Sequence, residues 1–152
     1  MNIIEPKSSV EFRNYYKLRY EILRKPWGQP PGSEKDEGEG ISIHRMIIDE
    51  KIGTTLAVGR LQFNSEDEAQ IRYMAVADEF QGQGLGSQII SSLEDAAHGN
   101  GSKRIILSAR ENALQFYQNN GYEIVEKTHL LFGKIQHWLM EKELTTDSHE
   151  LK

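Results

Sequence analysis

A chain of 152 residues, 38% hydrophobic and 9% aromatic, is long enough to bury one real core, so a single soluble domain is expected. A net charge of -5 argues against a partner recognised through a phosphate backbone, so no nucleic acid is expected. No run approaches the ~18 apolar residues of a membrane span, the first residues lack the apolar centre of a secretion signal, and neither a membrane partner nor export is expected. There is no cysteine, hence no disulfide and no thiol nucleophile, which suits a cytoplasmic location. The five histidines (His44, His98, His129, His137 and His149) are scattered, and no metal is expected.

In chain order, Asn2 to Glu5 reads as a short strand. Ser8 and Glu11 make a capping-box pattern that opens a helix through about Arg24. Phe12, Tyr15, Leu18 and Ile22 recur at helical spacing and should form its buried face. Pro26 stops it. Trp27 to Gly40 is rich in Pro, Gly, Glu and Asp and reads as a long loop, a length more often functional or disordered than merely connecting. Ile41 to Ile48, Thr54 to Phe63 and Ala69 to Ala77 read as a meander of antiparallel strands. A helix over Leu85 to Ala97 buries Leu85, Ile89, Leu93 and Ala96-Ala97, and Gly99-Asn100-Gly101 ends it. Arg104 to Leu107 reads as a buried strand, Asn112 to Asn120 as a short helix closed by Gly121, and Tyr122 to Val125 and Phe132 to Met140 as final strands. Thr145 to Lys152 reads as a frayed tail. The order β-α-βββ-α-β-α-β-β is an α/β plan around one mixed sheet.

Gln81-Gly82-Gln83-Gly84-Leu85-Gly86 lies between the apolar run Ile71 to Ala77 and a helical pattern. Glycines let the backbone approach a ligand closely, and a helix start aims unpaired N–H groups at it, so this segment suits a phosphorylated ligand. A dinucleotide fingerprint fails because Ser87 occupies the place of its third glycine. A P-loop fails because no Gly-Lys-Ser/Thr is present. An ordinary strand-to-helix turn needs fewer glycines.

These residues resemble the Gcn5-related N-acetyltransferase (GNAT) family. Its acetyl-CoA signature, Gln/Arg-x-x-Gly-x-Gly/Ala after the fourth strand, is matched by Gln81 to Gly86. Ile71 to Val76 is similar to its Ala-Val strand. Asn112-Ala113, Phe116-Tyr117 and Gly121-Tyr122 are similar to its second motif. The strong part covers residues 68–125. The resemblance implies a GNAT fold over residues 1–152: α/β, with a single mixed, mostly antiparallel central sheet flanked by helices. It implies an acetyl-CoA-dependent N-acetyltransferase that moves acetyl to a primary amine of a small molecule or peptide by direct attack in a ternary complex. Family members are often dimers, so a homodimer is open.

The resemblance also implies roles. Backbone N–H groups of about Gln83 to Ser87, in the loop Gln81, Gly82, Gln83, Gly84, Leu85, Gly86 and Ser87, would hold the coenzyme A pyrophosphate. N–H groups of a bulge at Met74, Ala75 and Val76 would polarise the thioester carbonyl. Tyr117 stands at the place of the general acid, and a phenol with a pKa of about 10 can protonate a thiolate of basicity near 8.5. Packing as a core aromatic is the alternative for Tyr117, and Phe116 beside it reads as core. Asn112 would bond the pantetheine arm, cap the helix, or both.

One departure concerns the base. Several family members carry Glu four places before the strand-four valine; here that place is Arg72, and a guanidinium is no base. Glu111, Glu68, His44 and His137 are candidates, with His137 first. Arg72 would then bind an acceptor carboxylate, or be a salt-bridged strand residue. Glu34, Asp36, Glu37 and Glu39 form an acidic run that is either solvated or a lid selecting a cationic amine. Trp27 would wall the acceptor side of the 26–40 loop. A non-catalytic acyl-CoA-binding or regulatory module on the same fold is the rival reading.

Overall fold

A computed structural model describes residues 1–144. Its strands are β1 (Asn2–Ile4), β2 (Ile43–Asp49), β3 (Thr54–Phe63), β4 (Glu68–Val76), β5 (Arg104–Arg110), β6 (Glu123–Leu131) and β7 (Ile135–Glu143). Its helices are α1 (Ser9–Leu23), α2 (Leu85–Gly99) and α3 (Leu114–Asn119). The strands form one seven-stranded sheet in the order β1-β2-β3-β4-β5-β7-β6, with helices flanking it. The element order is the one read from the sequence; the tail reading for 145–152 lies outside the described residues. No helix among the described residues is long and apolar enough to cross a membrane.

The chain divides into two compact units. The first comprises Met1–Gln62 and Ile71–Leu93. Here the Ser8 side chain accepts from the Glu11 N–H at 3.0 Å, and the Glu11 carboxylate accepts from the Ser8 N–H at 3.1 Å, so the capping box starts α1 as its sequence requires. Tyr15 and Leu18 of α1 are buried against Met46, Val58, Ala75 and Ala77, with Phe12 and Ile22 packed at the margin. Strand β2 pairs antiparallel with both β1 and β3. Neighbouring residues of a strand face opposite ways, and β3 uses this. Val58 meets the α1 cluster, whereas a Cβ at Gly59 would lie 2.6 Å from Ile89 and 3.2 Å from Leu93 of α2.

Among the described residues, the second unit comprises Phe63–Gln70 and residues 94–144. Strand β7 pairs antiparallel with β5, bringing His137 opposite Arg110, and with β6, whose register shifts twice. Tyr122 donates to Glu94 at 2.8 Å, and Lys142 bonds both Glu94 carboxylate oxygens at 3.1 Å. The final hairpin differs from the expectation. Phe132 (φ 54°) and Gly133 (φ 69°) are both left-handed and form the turn, so β6 runs to Leu131 and β7 begins at Ile135. Phe132 is bulky and apolar, and local sequence reads it as strand rather than turn.

Candidate active site

In the first unit, β4 leads through a 3-10 turn (Asp78–Phe80) to the glycine segment and α2. Gly82 (φ 79°) and Gly84 (φ 82°) both take the left-handed conformation that only glycine adopts without strain, and residues 81–84 are exposed. Gln88 N–H donates to the Gly84 carbonyl at 3.1 Å and opens the helical ladder. The N–H groups of Leu85, Gly86 and Ser87 precede that bond and lie at the positive end of the helix dipole. The Leu85 side chain is core, at 3% exposure, so only its backbone faces the loop. Gln81 turns its amide back onto the Val76 carbonyl (3.2 Å) and Asp78 (3.3 Å), tying the loop to the end of β4.

Tyr73 is left-handed (φ 58°) in the middle of β4. A bulky residue in this conformation is rare, and inside a strand it is the geometry of a bulge, which re-aims the backbone that follows. Met74, Ala75 and Val76 come next, with Ala75 buried and its two neighbours half-buried.

A buried polar network surrounds Tyr73. Its hydroxyl donates to Asp36 at 3.3 Å, and the guanidinium groups of Arg19, Arg72, Arg60 and Arg24 lie 4.2, 5.0, 5.1 and 5.7 Å from its ring centre. Arg19 and Arg60 are fully buried. Arg60 grips Asp36 at 2.6 Å and Glu39 at 2.8 Å, and Arg19 holds Glu39 at 2.8 Å. Arg72, the residue in place of a strand-four base, bonds Asp36 at 3.2 Å. Burial alone would raise Asp36, but the bonds from Arg60 and the Gly38 N–H outweigh it and lower its pKa to about 2. Burial opposes ionisation of Glu39 as well, and Arg19 still brings its pKa below the ordinary value.

The lid reading of the acidic run is therefore corrected. Asp36 and Glu39 face inward and are neutralised by arginine, and the Glu34 carboxylate accepts from the Gly32 N–H at 2.8 Å. Only Glu37 is exposed. The segment is a 3-10-containing loop pinned to α1 and β3 by charge, and its Glu34, Asp36 and Glu39 carboxylates are engaged within the protein. Trp27 is half-buried in the 3-10 turn Lys25–Trp27.

His44 is corrected as a base. It is buried, one ring nitrogen lies 2.7 Å from the Tyr15 hydroxyl, and the other must donate to the Glu39 carbonyl at 2.8 Å. Burial lowers its pKa.

In the second unit, Tyr117 of α3 is buried, at 8% exposure, in edge contact with Phe116 and Tyr122. Burial pushes its phenol up to about 12. The chain has six tyrosines. Tyr15, Tyr16, Tyr20, Tyr73 and Tyr122 all donate a hydrogen bond within the protein. Tyr117 makes none with any described residue, and its hydroxyl oxygen keeps some access to solvent although the residue as a whole is buried. It is thus both a packed aromatic and an uncommitted donor.

Asn112 is exposed in the 3-10 turn Glu111–Ala113, and the residue that caps α3 is Ala113, without a side-chain bond. The N-cap reading of Asn112 is therefore corrected; a 3-10 turn before α3 shifts the cap by one residue. Glu111 is exposed, with its carboxylate 3.5 Å from the Trp138 indole nitrogen. Glu68 is committed to Arg104 (3.2 Å) and Asn64 (2.9 Å), which disfavours it as a base. His137 is buried, stacks on His129 with ring centres 4.6 Å apart, and bonds the Ile135 carbonyl through Nδ1 at 3.0 Å. In the neutral ring that bond puts the proton on Nδ1 and the lone pair on Nε2.

The arginine–carboxylate network was not legible as a unit. Its members are scattered over α1, the loop, β3 and β4, and only the acidic run gave a local signal.

A sequence profile of the Acetyltransferase (GNAT) family matches residues 11–122. The "Uncharacterized N-acetyltransferase YjcF" of Bacillus subtilis (strain 168) is 26% identical over 143 residues, which is 94% of this chain and all of that protein. A Lactobacillus plantarum crystal structure, provisionally described as an N-acetyltransferase, superposes with a TM-score of 0.82 at 18% identity, covering 95% of this chain and 98% of that one. An aminoglycoside 6'-N-acetyltransferase complexed with coenzyme A does so at 0.80 and 16% identity, over 97% and 99%. With the profile spanning most of its length, this chain belongs to the GNAT acetyltransferase family.

Proposed function

We propose that this protein is an acetyl-CoA-dependent N-acetyltransferase that acts on a primary amine by direct attack in a ternary complex. The observation that carries the reading is Tyr117, buried as a residue yet with a hydroxyl committed to no described residue, on the helix that bears the family's second motif. The rival, a non-catalytic acyl-CoA-binding module, has no use for such a donor.

In this reading the backbone of Gln83 to Ser87 binds the pyrophosphate, with Gly82 and Gly84 giving it close approach. N–H groups from Met74 to Val76, set by the left-handed Tyr73, stabilise the developing oxyanion. Asn112 bonds the pantetheine arm and Phe116 packs beside it. The amine nitrogen attacks the thioester carbon; the C–N bond forms, the C–S bond breaks, and the thiolate takes the Tyr117 proton. The amine proton leaves through His137 or water. Trp27 walls the acceptor side. No metal enters this chemistry. We also read the chain as one domain and carry a homodimer through β6, the last strand of the sheet, where Ile124, Val125 and Leu130 are 41%, 47% and 52% exposed. A single-protomer mass by sedimentation equilibrium would remove the dimer.

The first test is calorimetric titration with acetyl-CoA, with NAD and ATP as controls, followed by thiol release over a pool of amines. One-to-one binding of acetyl-CoA alone is expected. No binding near millimolar ligand overturns the reading. Tyr117→Phe should change acetyl-CoA affinity by less than about twofold and lower kcat by about 10²-fold or more. Unchanged turnover would remove Tyr117 as the acid.

A further inference from the structure

The arginine network specifies a class of acceptor, an inference that rests on the acetyltransferase reading. Three guanidinium groups, Arg19, Arg60 and Arg72, face two carboxylates, Asp36 and Glu39. The carboxylates are saturated from the buried side. Glu39 accepts from Arg19, Arg60, the Asp36 N–H and the Tyr16 hydroxyl. Asp36 accepts from both Nη atoms of Arg60, the Gly38 N–H and the Tyr73 hydroxyl before Arg72 reaches it. Of these three paired guanidinium groups, only that of Arg72 reaches the surface. The Arg72 side chain is 39% exposed, whereas that of Arg60 is 1% exposed.

Arg72 spends Nη1 on Asp36. Its Nε and Nη2 meet no acceptor among the described residues. Those two N–H groups form one edge of a guanidinium fork, the geometry that takes a carboxylate through two parallel hydrogen bonds. The ring of Tyr73 beneath it, the anchoring by Asp36 and the buried arginines behind hold that fork in place. Arg72 is two residues before Met74, which puts its backbone within about 7 Å of the proposed oxyanion contacts. That span suits a molecule carrying its anion close to its reacting amine.

We propose that the acceptor is an amine bearing a carboxylate near the nucleophilic nitrogen, of the amino-acid class, and that Arg72 binds the carboxylate. The assignment gives the departure at this position a purpose. A cation there cannot take the amine proton, but its field favours the neutral form of a nearby amine, and the carboxylate gives that amine a reason to bind beside it. It also separates this chain from enzymes of polycationic acceptors, for which an exposed arginine is repulsive.

The test is thiol release from acetyl-CoA with L-amino acids, each against its own carboxamide, which removes the anion and keeps the amine and side chain. The free acids should show about 10- to 100-fold higher kcat/KM than their carboxamides. Arg72→Gln should bring that ratio close to one, mainly through KM, with Arg72→Lys restoring part of it and the melting temperature little changed. Equal or better turnover of the carboxamides overturns the proposal, as does a ratio that survives Arg72→Gln. If neither series turns over, N-acetyl amino acids and N-acetyl carboxamides are titrated by calorimetry into the protein saturated with coenzyme A; equal affinity, or none, overturns it there. Failure of acetyl-CoA itself to bind would overturn the parent reading as well, and is read separately in the titration without acceptor.

Discussion

Gly84 shows how one residue separates ligand binding from stability. Its φ of 82° demands glycine, yet a Cβ there would meet nothing within 4 Å. Gly84→Ala therefore costs backbone strain only, about 1 kcal/mol, with no clash inside the protein. If the backbone here approaches a pyrophosphate, the same methyl stands in the ligand's way. The expected outcome is a fall of a few degrees in melting temperature and a rise of at least about tenfold in the acetyl-CoA Kd. Unaltered affinity would place the pyrophosphate elsewhere. Gly82 and Gly84 were legible in the sequence because glycine reports backbone freedom at its own position. Tyr73 was not: its left-handed conformation is imposed by its surroundings, and nothing in the local residue type announces it.

At the scale of elements, Gly59 decides how closely α2 lies on β3. A Cβ at this position would be 2.6 Å from Ile89 Cγ2, 2.7 Å from Met74 Sδ and 3.2 Å from Leu93 Cδ1. The methionine end can yield, but the isoleucine branch cannot move without shifting the helix. Gly59→Ala should destabilise by about 1–3 kcal/mol, the range for overpacking a filled core, measured by urea unfolding. A stabilised variant would contradict the close approach. The element boundaries followed from pattern where a local stop existed, as at Ser8 and Pro26. They failed where it did not, as at Phe132, and at Asn112, where a 3-10 turn intervenes before α3.

For the whole molecule, the buried groups set a pH window of stability. Burial raises Tyr16 and Tyr117 to about 12, against about 10 unfolded, so their contribution is complete below pH ~10 and is lost as pH rises toward 12. Tyr15 and Tyr122 are raised in the same direction, by burial in both cases. At the acid end the signs reverse. His44 is depressed by burial, and Asp36, despite its burial, is lowered to about 2 by Arg60. Their contributions are complete above the unfolded values, about 6.5 and 3.9, and are lost as pH falls through the folded ones. The urea midpoint should therefore be level between about pH 7 and 10, decline below pH ~6 and more steeply below pH 4, and decline again above pH 10. A midpoint constant from pH 10 to 12 would contradict the burial of the tyrosines.

What the sequence determined by itself is what short-range physics enforces: the helix that Ser8 and Glu11 start, the strand from Thr54 to Phe63, the glycine turn before α2, and the Asn112-to-Tyr122 segment. Each is written within a few residues, because capping, side-chain period and φ freedom act over that distance. The tertiary structure alone decided what those residues do to one another. It turned the acidic run inward onto Arg19 and Arg60, committed His44 to Tyr15 and the Glu39 carbonyl, and left Tyr117 as the one tyrosine with no hydrogen bond among the described residues. Hydrogen bonds and ion pairs act only at contact, and Arg72 and Asp36 come into contact only once β4 and the loop have folded together.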